Sequence, residues 1–528
     1  MEEYDIIVVG GGSGGSAVAG RLASGGRYRV CLIEAGGTNT SWRVRAPGML
    51  PFLPKNTNWR FETVPQPGLN GRRGYQPRGK GLGGSSAINA MIYIRGCAWD
   101  YDRWAELGAT GWSHDEVLPY FRRAEGNVRG ADAHHGGDGP LKVSDQNWPH
   151  PGSLDFIEAG ASLQLPRSDD FNGPQFEGVG LYQVTQYRGE RWSVARGYVE
   201  PEVAAGRLAV KTGALVEKIG VENGRARSVT IRRGGRTETL GARGAVILSA
   251  GAFGTPQTLM LSGIGPADHL REQGIPVVLD RAAVGADLQD HIDYVSGYET
   301  DGYEFLGGSA RGAVKQIGAI VEWLRHRTGR LTTPYAEAGG FARTSPDVAV
   351  PDVQFHFVPA VLEDHGRTRV KAHGFSCHVC VLRPESRGTV RLGSPDPRAA
   401  PVIDPRFLSD DRDTEVLLRG TKLMRRILEA PPLARHGGRD RHTAGIEDDA
   451  RLVEIIRNRA DTVYHPVGTA RMGSDPDAVV DPRLKVRGLD GLYIADASVM
   501  PRIVSGNTNA PTVMIGERCA EFVTADLG

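Results

Sequence analysis

The stretch VVGGGSGGSAVAGRLASGGRYRVCLIEAGG, residues 8–37, determines how the N-terminal part of this chain folds. An apolar strand, Ile6–Val9, leads through Gly10-x-Gly12-x-x-Gly15 into a segment with helical spacing, and a second apolar run ends on Glu34. This order is typical of dinucleotide-binding folds, in which glycines let backbone N–H groups approach a pyrophosphate at the positive end of a helix dipole. Glu34 lies about 20 residues beyond the last glycine, where a carboxylate can accept hydrogen bonds from an adenosine ribose. The same carboxylate would repel a 2′-phosphate, so the stretch leaves NAD and FAD open and disfavours NADP.

Composition restricts the class of protein. The chain has 528 residues, of which 40% are hydrophobic and 24% charged, and a net charge of +1. Its length favours two connected domains, and its near-neutral charge gives no reason to expect a nucleic-acid partner. No apolar run is long enough for a transmembrane segment, and no basic and apolar leader precedes the first strand. We therefore expect a cytoplasmic protein, with peripheral association with a membrane left open.

The five cysteines do not predict a metal site or a disulfide framework. Cys377 and Cys380 form a CxxC pair, but they lie in a run, Phe375–Leu382, that reads as a strand. Residues three apart on a strand point to opposite faces, so these thiols should not share a metal ion.

The rest of the chain mixes strands and helices. Strands are predicted at 208–210, 214–219, 229–231, 245–252, 353–357 and 377–382, and helices at 313–327, 413–429 and 447–460. The first of these helices is predicted to be amphipathic, because Val314, Ile317, Val321 and Leu324 recur on one of its faces.

Four groups of motifs, far apart in the chain, fit a single pattern. They are the N-terminal stretch; Gly79–Tyr93, continuing through Arg95-Gly96 to Asp102; Gly251–Pro256 with Leu261–Pro266; and Tyr464–Gly473 with Asp496–Pro501 and Gly506–Thr512. Together they resemble the glucose–methanol–choline (GMC) flavoprotein oxidoreductases over essentially the whole chain. Within that family the chain is most similar to bacterial FAD-dependent alcohol and polyethylene glycol dehydrogenases.

The resemblance implies an α/β fold (α+β overall). It has a Rossmann-like FAD-binding domain and an interleaved substrate-binding domain built on an antiparallel sheet with helices. The expected FAD-binding parts are residues 1–155 and 195–295, and the expected substrate-binding parts are 156–194 and 296–460. Residues 461–528 should complete the FAD-binding domain and carry the catalytic pair.

The resemblance also implies that the cofactor is FAD. Some relatives attach the flavin through a histidine just before the motif asparagine, where this chain has Ile88, so noncovalent binding is expected. The expected cofactor-binding residues are Gly10, Gly12, Ser13, Gly14, Gly15, Glu34, Ala35, Gly84, Ser85, Asn89, Met91, Val216, Asp496, Ala497, Thr508, Asn509 and Thr512.

Two residues match the catalytic positions of the family. His465 occupies the position of the base that removes the hydroxyl proton, and a neutral imidazole suits that task near pH 7. Asn509 is expected as its partner, donating a hydrogen bond to the developing alkoxide. Trp59, Tyr464 and Glu337 are candidates for the substrate pocket, although either aromatic residue could be core and Glu337 could lie on the surface.

The resemblance therefore predicts oxidation of a primary alcohol to the aldehyde by hydride transfer to flavin N5, with electrons passing to a quinone-like acceptor or to oxygen. An oxidase that releases hydrogen peroxide is the main alternative, and a noncatalytic flavoprotein is a remote one. An NAD-dependent dehydrogenase would leave three of the four motif groups unexplained. A homodimer is left open.

Overall fold

The structure is a computed structural model that describes residues 1–368 and 370–528. Its helices are α1 (Ser13–Ser24), α2 (Trp42–Arg45), α3 (Ala98–Glu106), α4 (His114–Ala124), α5 (Pro151–Ser162), α6 (Val194–Tyr198), α7 (Glu200–Ala204), α8 (Gly251–Leu261), α9 (Ala267–Glu272), α10 (Ala310–His326), α11 (Asp411–Leu428), α12 (Pro431–Ala434), α13 (Asp449–Arg459) and α14 (Asn509–Leu527).

Two larger sheets and several two-stranded ones accompany these helices. The strands are β1 (Glu2–Val9), β2 (Val30–Glu34), β3 (Phe61–Glu62), β4 (Tyr75–Gln76), β5 (Glu125–Asn127), β6 (Leu141–Val143), β7 (Gly178–Leu181), β8 (Gln186–Tyr187), β9 (Glu190–Arg191), β10 (Leu208–Thr212), β11 (Ala214–Glu222), β12 (Arg225–Arg233), β13 (Arg236–Leu248), β14 (Ile264–Gly265), β15 (Leu279–Asp280), β16 (Ile292–Thr300), β17 (Ala338–Ala342), β18 (Val353–Val358), β19 (His373–Val381), β20 (Thr389–Arg391), β21 (Val402–Asp404), β22 (Arg439–Asp440), β23 (Asp461–Thr462) and β24 (Leu492–Ile494).

The first sheet contains the N-terminal stretch. Its strand order is β10-β2-β1-β13-β12-β11, with β24 added to β13. Strand β1 lies parallel to both β2 and β13, and its last four residues, Ile6–Val9, are buried because both faces of this part of the sheet are covered. Helix α1 follows β1 through the glycine turn, as predicted. Because β1 and β2 run in the same direction, the glycine turn and Glu34 lie at the same edge of the sheet.

The second sheet is antiparallel, as expected. Its order is β22-β16-β19-β18-β17-β7, with β23 also pairing with β16. Helices α5 and α11 cover it around a core that includes Phe156, Phe357 and Leu417. The Rossmann-like sheet and this antiparallel sheet confirm the predicted fold class. The division of the chain into five segments stays a prediction.

The three predicted helices of the middle region are present as α10, α11 and α13. Helix α10 differs from an ordinary core helix, because its apolar residues Val314, Ile317, Val321 and Leu324 are between 43% and 71% exposed. No helix within residues 1–368 and 370–528 combines the length and the apolar character that crossing a bilayer requires.

Candidate active site

One large cavity lies between the two sheets. Its volume is about 1380 Å³, and it is lined from the first sheet by the glycine turn and from the second by strands β16, β18 and β19. That volume exceeds the roughly 300–1,000 Å³ typical of a pocket for one small ligand. The cavity therefore has room for a dinucleotide and a small substrate together.

The glycine turn forms one wall of this cavity. Gly10 has φ +99°, and a Cβ there would lie 2.3 Å from the carbonyl oxygen of Ser249. A Cβ on Gly14 would lie 2.0 Å from the carbonyl oxygen of Ala495, whereas one on Gly12 would meet nothing within 4 Å. The backbone at Gly12 is thus open to the cavity at the start of α1, where a pyrophosphate would meet the helix dipole.

Most of the predicted cofactor-binding residues line this cavity. They are Gly10, Gly12, Ser13, Gly14, Glu34, Ala35, Gly84, Ser85, Asn89, Met91, Val216, Asp496, Ala497, Thr508, Asn509 and Thr512. Gly15 is the exception: a Cβ there would lie 1.9 Å from the carbonyl oxygen of Gly10, so this glycine allows close packing within the turn and does not face the cavity. The other residues line one open cavity, and this arrangement fits the binding of FAD.

Glu34 has protein partners of its own. Its carboxylate accepts hydrogen bonds from three backbone N–H groups, those of Gly11 at 2.8 Å, Gly36 at 2.7 Å and Gly81 at 2.9 Å. These contacts tie together the glycine turn and two neighbouring loops that border the cavity. Glu34 therefore shapes the cofactor cradle directly, and contact with the ribose stays a prediction.

Arg191 is a buried residue of this region that the sequence analysis did not single out. Its Nη1 donates to the side-chain oxygen of Asn89 at 2.9 Å and to the backbone oxygen of Asn89 at 2.6 Å. Burial lowers the pKa of Arg191 to about 9. The guanidinium fixes the orientation of the Asn89 amide at the cavity wall. A lone arginine 102 residues after Asn89 offers no sequence signal for this role.

His465 is held by a strained turn. The backbone N–H of His465 donates to Asp290 Oδ1 at 2.8 Å, and Thr462 Oγ1 donates to Asp290 Oδ2 at 2.5 Å. Tyr464, just before it, has φ +76°, a conformation that non-glycine residues adopt rarely. Arg78 Nη2 donates to the Tyr464 carbonyl oxygen at 2.7 Å and helps to keep the turn in place. Burial raises the pKa of Asp290 to about 6 and lowers the pKa of Arg78 to about 10.

A chain of hydrogen bonds fixes the tautomer of His465. The Leu382 carbonyl oxygen lies 3.0 Å from His291 Nε2, and His291 Nδ1 lies 3.0 Å from His465 Nδ1. A carbonyl only accepts, so His291 carries its proton on Nε2. Burial lowers the pKa of His291 to about 3, so this ring is neutral and its Nδ1 is an acceptor. His465 must then donate from Nδ1, which leaves the lone pair on its Nε2.

Asn507, and not Asn509, is the asparagine beside His465. Asn507 Nδ2 lies 3.2 Å from His465 Nε2, and Gln354 Nε2 donates to Asn507 Oδ1 at 3.1 Å. The Gln354 contact orients the amide so that its N–H groups face the lone pair of the imidazole. Asn509 instead accepts a 2.7 Å hydrogen bond from Ser13 Oγ, which joins the N-terminal ends of α14 and α1. The expected pairing of His465 with Asn509 is therefore corrected to His465 with Asn507.

The three candidates for the substrate pocket have different positions. Trp59 and Tyr464 line the cavity, with Trp59 stacked on Phe61 at 5.7 Å between ring centroids. Glu337 does not line the cavity and is fully buried.

The Glu337 carboxylate is occupied by protein donors. It accepts from the backbone N–H of His150 at 2.7 Å, from Ser153 Oγ at 2.7 Å and from Thr333 Oγ1 at 2.5 Å. Placing Glu337 in the substrate pocket was wrong, as was the alternative that it lies on the surface. The sequence around it shows only an acid among small residues, which does not reveal that three donors surround it.

His356 is a buried imidazole of the cavity wall that sequence analysis missed. It is 3% exposed, and neither ring nitrogen makes a hydrogen bond of normal geometry with the described residues. Burial, with the neighbouring imidazoles, lowers the pKa of His356 to about 3. The same causes, burial first, hold the pKa of His465 well below its usual 6.5. The cavity thus presents a neutral, unprotonated base at neutral pH.

Comparisons with known proteins agree with this geometry. Residues 4–293 match the N-terminal family model of the GMC oxidoreductases, and residues 384–516 match the C-terminal model. The chain belongs to the GMC oxidoreductase family. As a member of that family it is an FAD-dependent oxidoreductase that acts on CH–OH donors, which confirms the cofactor and the class of enzyme expected from the motifs.

The relatives of this GMC oxidoreductase include dehydrogenases and oxidases. It is 42% identical to alcohol dehydrogenase [acceptor] of Pseudomonas putida over 526 residues, covering 98% of this chain and 95% of that protein. It is 41% identical to an oxygen-dependent choline dehydrogenase of Rhizobium etli over 530 residues, with 99% and 95% covered. A solved structure of formate oxidase from Aspergillus oryzae, in a study of FAD modification, superposes with a TM-score of 0.92 at 26% identity, covering 99% of this chain and 98% of that one.

Proposed function

We propose that this enzyme oxidises a primary alcohol to the aldehyde, with His465 as the base and Asn507 as the hydrogen-bond donor to the alcohol oxygen. The observation that carries the proposal is the series of hydrogen bonds from Leu382 through His291 to His465. It leaves the lone pair on His465 Nε2, beside the side-chain N–H of Asn507 in the cavity. An alcohol transfers hydride readily only as its hydroxyl proton departs. A base and a donor that converge on one oxygen are suited to that step.

Three residues of the site have separate roles in this reaction. His465 Nε2 takes the hydroxyl proton and becomes an imidazolium, whose Nδ1–H remains bonded to His291. Asn507 Nδ2, held by Gln354, donates to the oxygen on which negative charge develops. Asp290 keeps the His465 turn in place, so the geometry is set before the alcohol arrives. FAD supplies the hydride acceptor when it is bound.

Two relatives support an alcohol as the substrate, and their names suggest two electron acceptors, an unspecified acceptor and oxygen. The Pseudomonas protein is named an alcohol dehydrogenase [acceptor], and the Rhizobium protein an oxygen-dependent choline dehydrogenase. We favour a primary alcohol as substrate and a quinone-like compound as acceptor, since the Pseudomonas alcohol dehydrogenase is 42% identical over 98% of this chain and carries the word acceptor in its name. The alternative within the same family is an oxidase that reduces oxygen to hydrogen peroxide.

A panel of alcohols tests the proposal. Primary alcohols of increasing chain length, matched secondary alcohols and choline are each assayed with an artificial quinone and, separately, with oxygen. We expect the highest kcat/KM for a primary alcohol with the quinone. Faster turnover with oxygen and stoichiometric peroxide would identify the oxidase instead. Turnover of choline alone would identify a choline dehydrogenase, and a preference for the secondary alcohols would reject the primary-alcohol class.

The flavin is expected to be bound without a covalent link. Ile88, which lines the cavity, offers no nucleophile at the position where some relatives carry the linking histidine. Precipitation of the protein with acid should release all the yellow colour into the supernatant. Colour that stays in the washed pellet would contradict this expectation.

His291 is expected to act as a positioning residue through the tautomer of His465. His291→Leu removes the acceptor for His465 Nδ1–H, so part of the population would carry its proton on Nε2 and lack the base. We expect kcat to fall roughly 10- to 100-fold, the range known for removing a group that orients a metal-binding histidine, with little change in KM.

The matched variant is His291→Asn, whose side-chain oxygen can take the place of the Nδ1 acceptor. It should recover most of the rate. If His291→Leu and His291→Asn lost the same activity, or if KM changed and kcat did not, the role assigned to His291 would be wrong.

A further inference from the structure

The surface of α10 carries an apolar stripe that no other described part of the chain covers. Val314, Ile317, Val321 and Leu324 are 71%, 64%, 43% and 48% exposed. They follow one another at intervals of three and four residues, so they form a continuous stripe along one side of the helix. We call these four residues the apolar face of α10. Monomeric soluble proteins rarely expose a contiguous apolar patch of this kind without a partner.

This exposure does not come from a loosely attached helix. The opposite side of α10 is buried, with Ala319 and Trp323 packed against Met49 and Leu331. Trp323 Nε1 donates to the Gly189 carbonyl oxygen at 2.7 Å, and Ser309 caps the first turn by accepting from the Gly312 N–H. The helix is therefore anchored on one side and presents its apolar face outward.

Charge around this face identifies the partner. Helix α10 carries Arg311, Lys315 and Arg325 and one acid, Glu322. The adjoining segment 42–55 contains three basic residues and no acidic residue. The whole chain has a net charge of only +1, so this positive charge is concentrated locally. An amphipathic helix with basic residues beside an outward apolar stripe is typical of proteins that lie on an anionic bilayer.

We propose that the apolar face of α10 docks the enzyme on an anionic lipid bilayer. A second copy of the chain is disfavoured as the partner, because two such faces would bring like charges together. Two exposed aromatic residues in the adjoining segment, Trp42 at 37% and Phe52 at 54%, extend the surface available to lipid.

Docking in this orientation would place the bilayer next to a segment that lines the catalytic cavity. Leu50, Pro51, Leu53 and Pro54, on either side of exposed Phe52, line the catalytic cavity. The same segment therefore joins the lipid-facing surface to the cavity wall. An apolar alcohol or a quinone dissolved in the bilayer would reach the cavity along this segment.

Sedimentation of the FAD-loaded enzyme with lipid vesicles tests the proposal. The vesicles are either phosphatidylcholine alone or phosphatidylcholine with an equal amount of phosphatidylglycerol. We expect the enzyme to sediment with the phosphatidylglycerol vesicles. The variant Val314→Gln/Ile317→Gln/Val321→Gln/Leu324→Gln should bind them about 100-fold more weakly, because four apolar side chains no longer enter the lipid. The variant Arg311→Gln/Lys315→Gln/Arg325→Gln should show a weaker preference for the anionic vesicles, because half of the basic residues of this surface are removed.

The matched control places the same substitutions on apolar residues that are similarly exposed elsewhere, Val128→Gln/Leu154→Gln/Val203→Gln/Val278→Gln, and should bind like the unchanged enzyme. All variants should oxidise a short, water-soluble alcohol with a soluble dye at the unchanged rate, so this test is independent of the proposed chemistry. Three results would overturn the proposal: no binding of the unchanged enzyme to anionic vesicles, equal loss of binding in the control, or a dimer in solution that the α10 variant converts to a monomer.

Discussion

Replacing His465 by alanine is expected to slow the reduction of the bound flavin by alcohol roughly 10²–10⁴-fold, the contribution usual for a positioned base. The change removes the Nε2 lone pair that the hydrogen bonds from Leu382 and His291 direct into the cavity. FAD should stay bound, since the glycine turn and the loops held by Glu34 are not altered. Anaerobic stopped-flow measurement of the flavin absorbance gives this rate without the electron acceptor.

Two variants serve as controls for this loss. His465→Asn places an amide N–H where Nδ1 donates to His291 but supplies no base, so it should be as slow as His465→Ala. His114→Ala, which removes an imidazole outside the cavity, should leave the rate unchanged. Retention of the normal rate by both His465 variants would contradict the assignment of the base.

The pH dependence follows from the same residue. Burial holds the pKa of His465 well below 6.5, and the base acts only in its neutral form, which is present above that pKa. The rate in the unchanged enzyme should therefore be flat through neutral pH and fall only as the pH drops below the ordinary imidazole value. This acid limb should be absent in His465→Ala.

Asn507→Ala is expected to produce the second largest loss, roughly 10²-fold in the rate of flavin reduction. Its amide N–H faces the lone pair of His465 at 3.2 Å and is held there by Gln354. Removing one preorganised donor to a developing negative charge costs activity mainly in the transition state. Single-turnover rates at saturating alcohol should show the loss in the rate constant, with the acid limb of the pH profile preserved because His465 is still present.

Asn509→Ala is the matched comparison, two residues away in the same sequence motif. Asn509 is bonded to Ser13 between the ends of α1 and α14, on the cofactor side of the cavity. This variant should weaken the retention of FAD and leave the rate of the FAD-loaded fraction close to normal. The reverse result, a slow chemical step in Asn509→Ala and a normal one in Asn507→Ala, would restore the pairing expected from the sequence.

His465 and its asparagine partner differ in how far the sequence predicts them. His465 could be predicted because its whole neighbourhood, Tyr464-His465-Pro466, matches the family motif. The partner could not, because Gly506-Asn507-Thr508-Asn509 contains two asparagines and the spacing does not tell which one precedes the helix. In the structure α14 begins at Asn509, so its amide joins the helix end while Asn507, in the preceding loop, faces the imidazole.

The glycine turn and the individual strands and helices were predictable for a different reason, whereas the antiparallel arrangement of the second sheet was implied by the resemblance to the family. Strand and helix periods, with glycines at fixed offsets, are local signals that a linear sequence retains. His291, Arg191 and two of the three donors around Glu337, His150 and Ser153, depend on contacts between residues more than 90 positions apart, and no local pattern records those contacts. The apolar spacing on α10 likewise predicted a helix correctly but did not reveal which side of it would be buried.

The most direct test of the account is an anaerobic titration of the FAD-loaded enzyme with a primary alcohol, followed by the visible spectrum in the unchanged enzyme and in His465→Ala. We predict that the alcohol bleaches the flavin bands of the unchanged enzyme with release of one aldehyde per flavin, and that the His465→Ala spectrum stays oxidised on the same timescale. A flavin spectrum that no primary alcohol bleaches, or one that bleaches equally fast in both proteins, would contradict the proposed function and the role of His465.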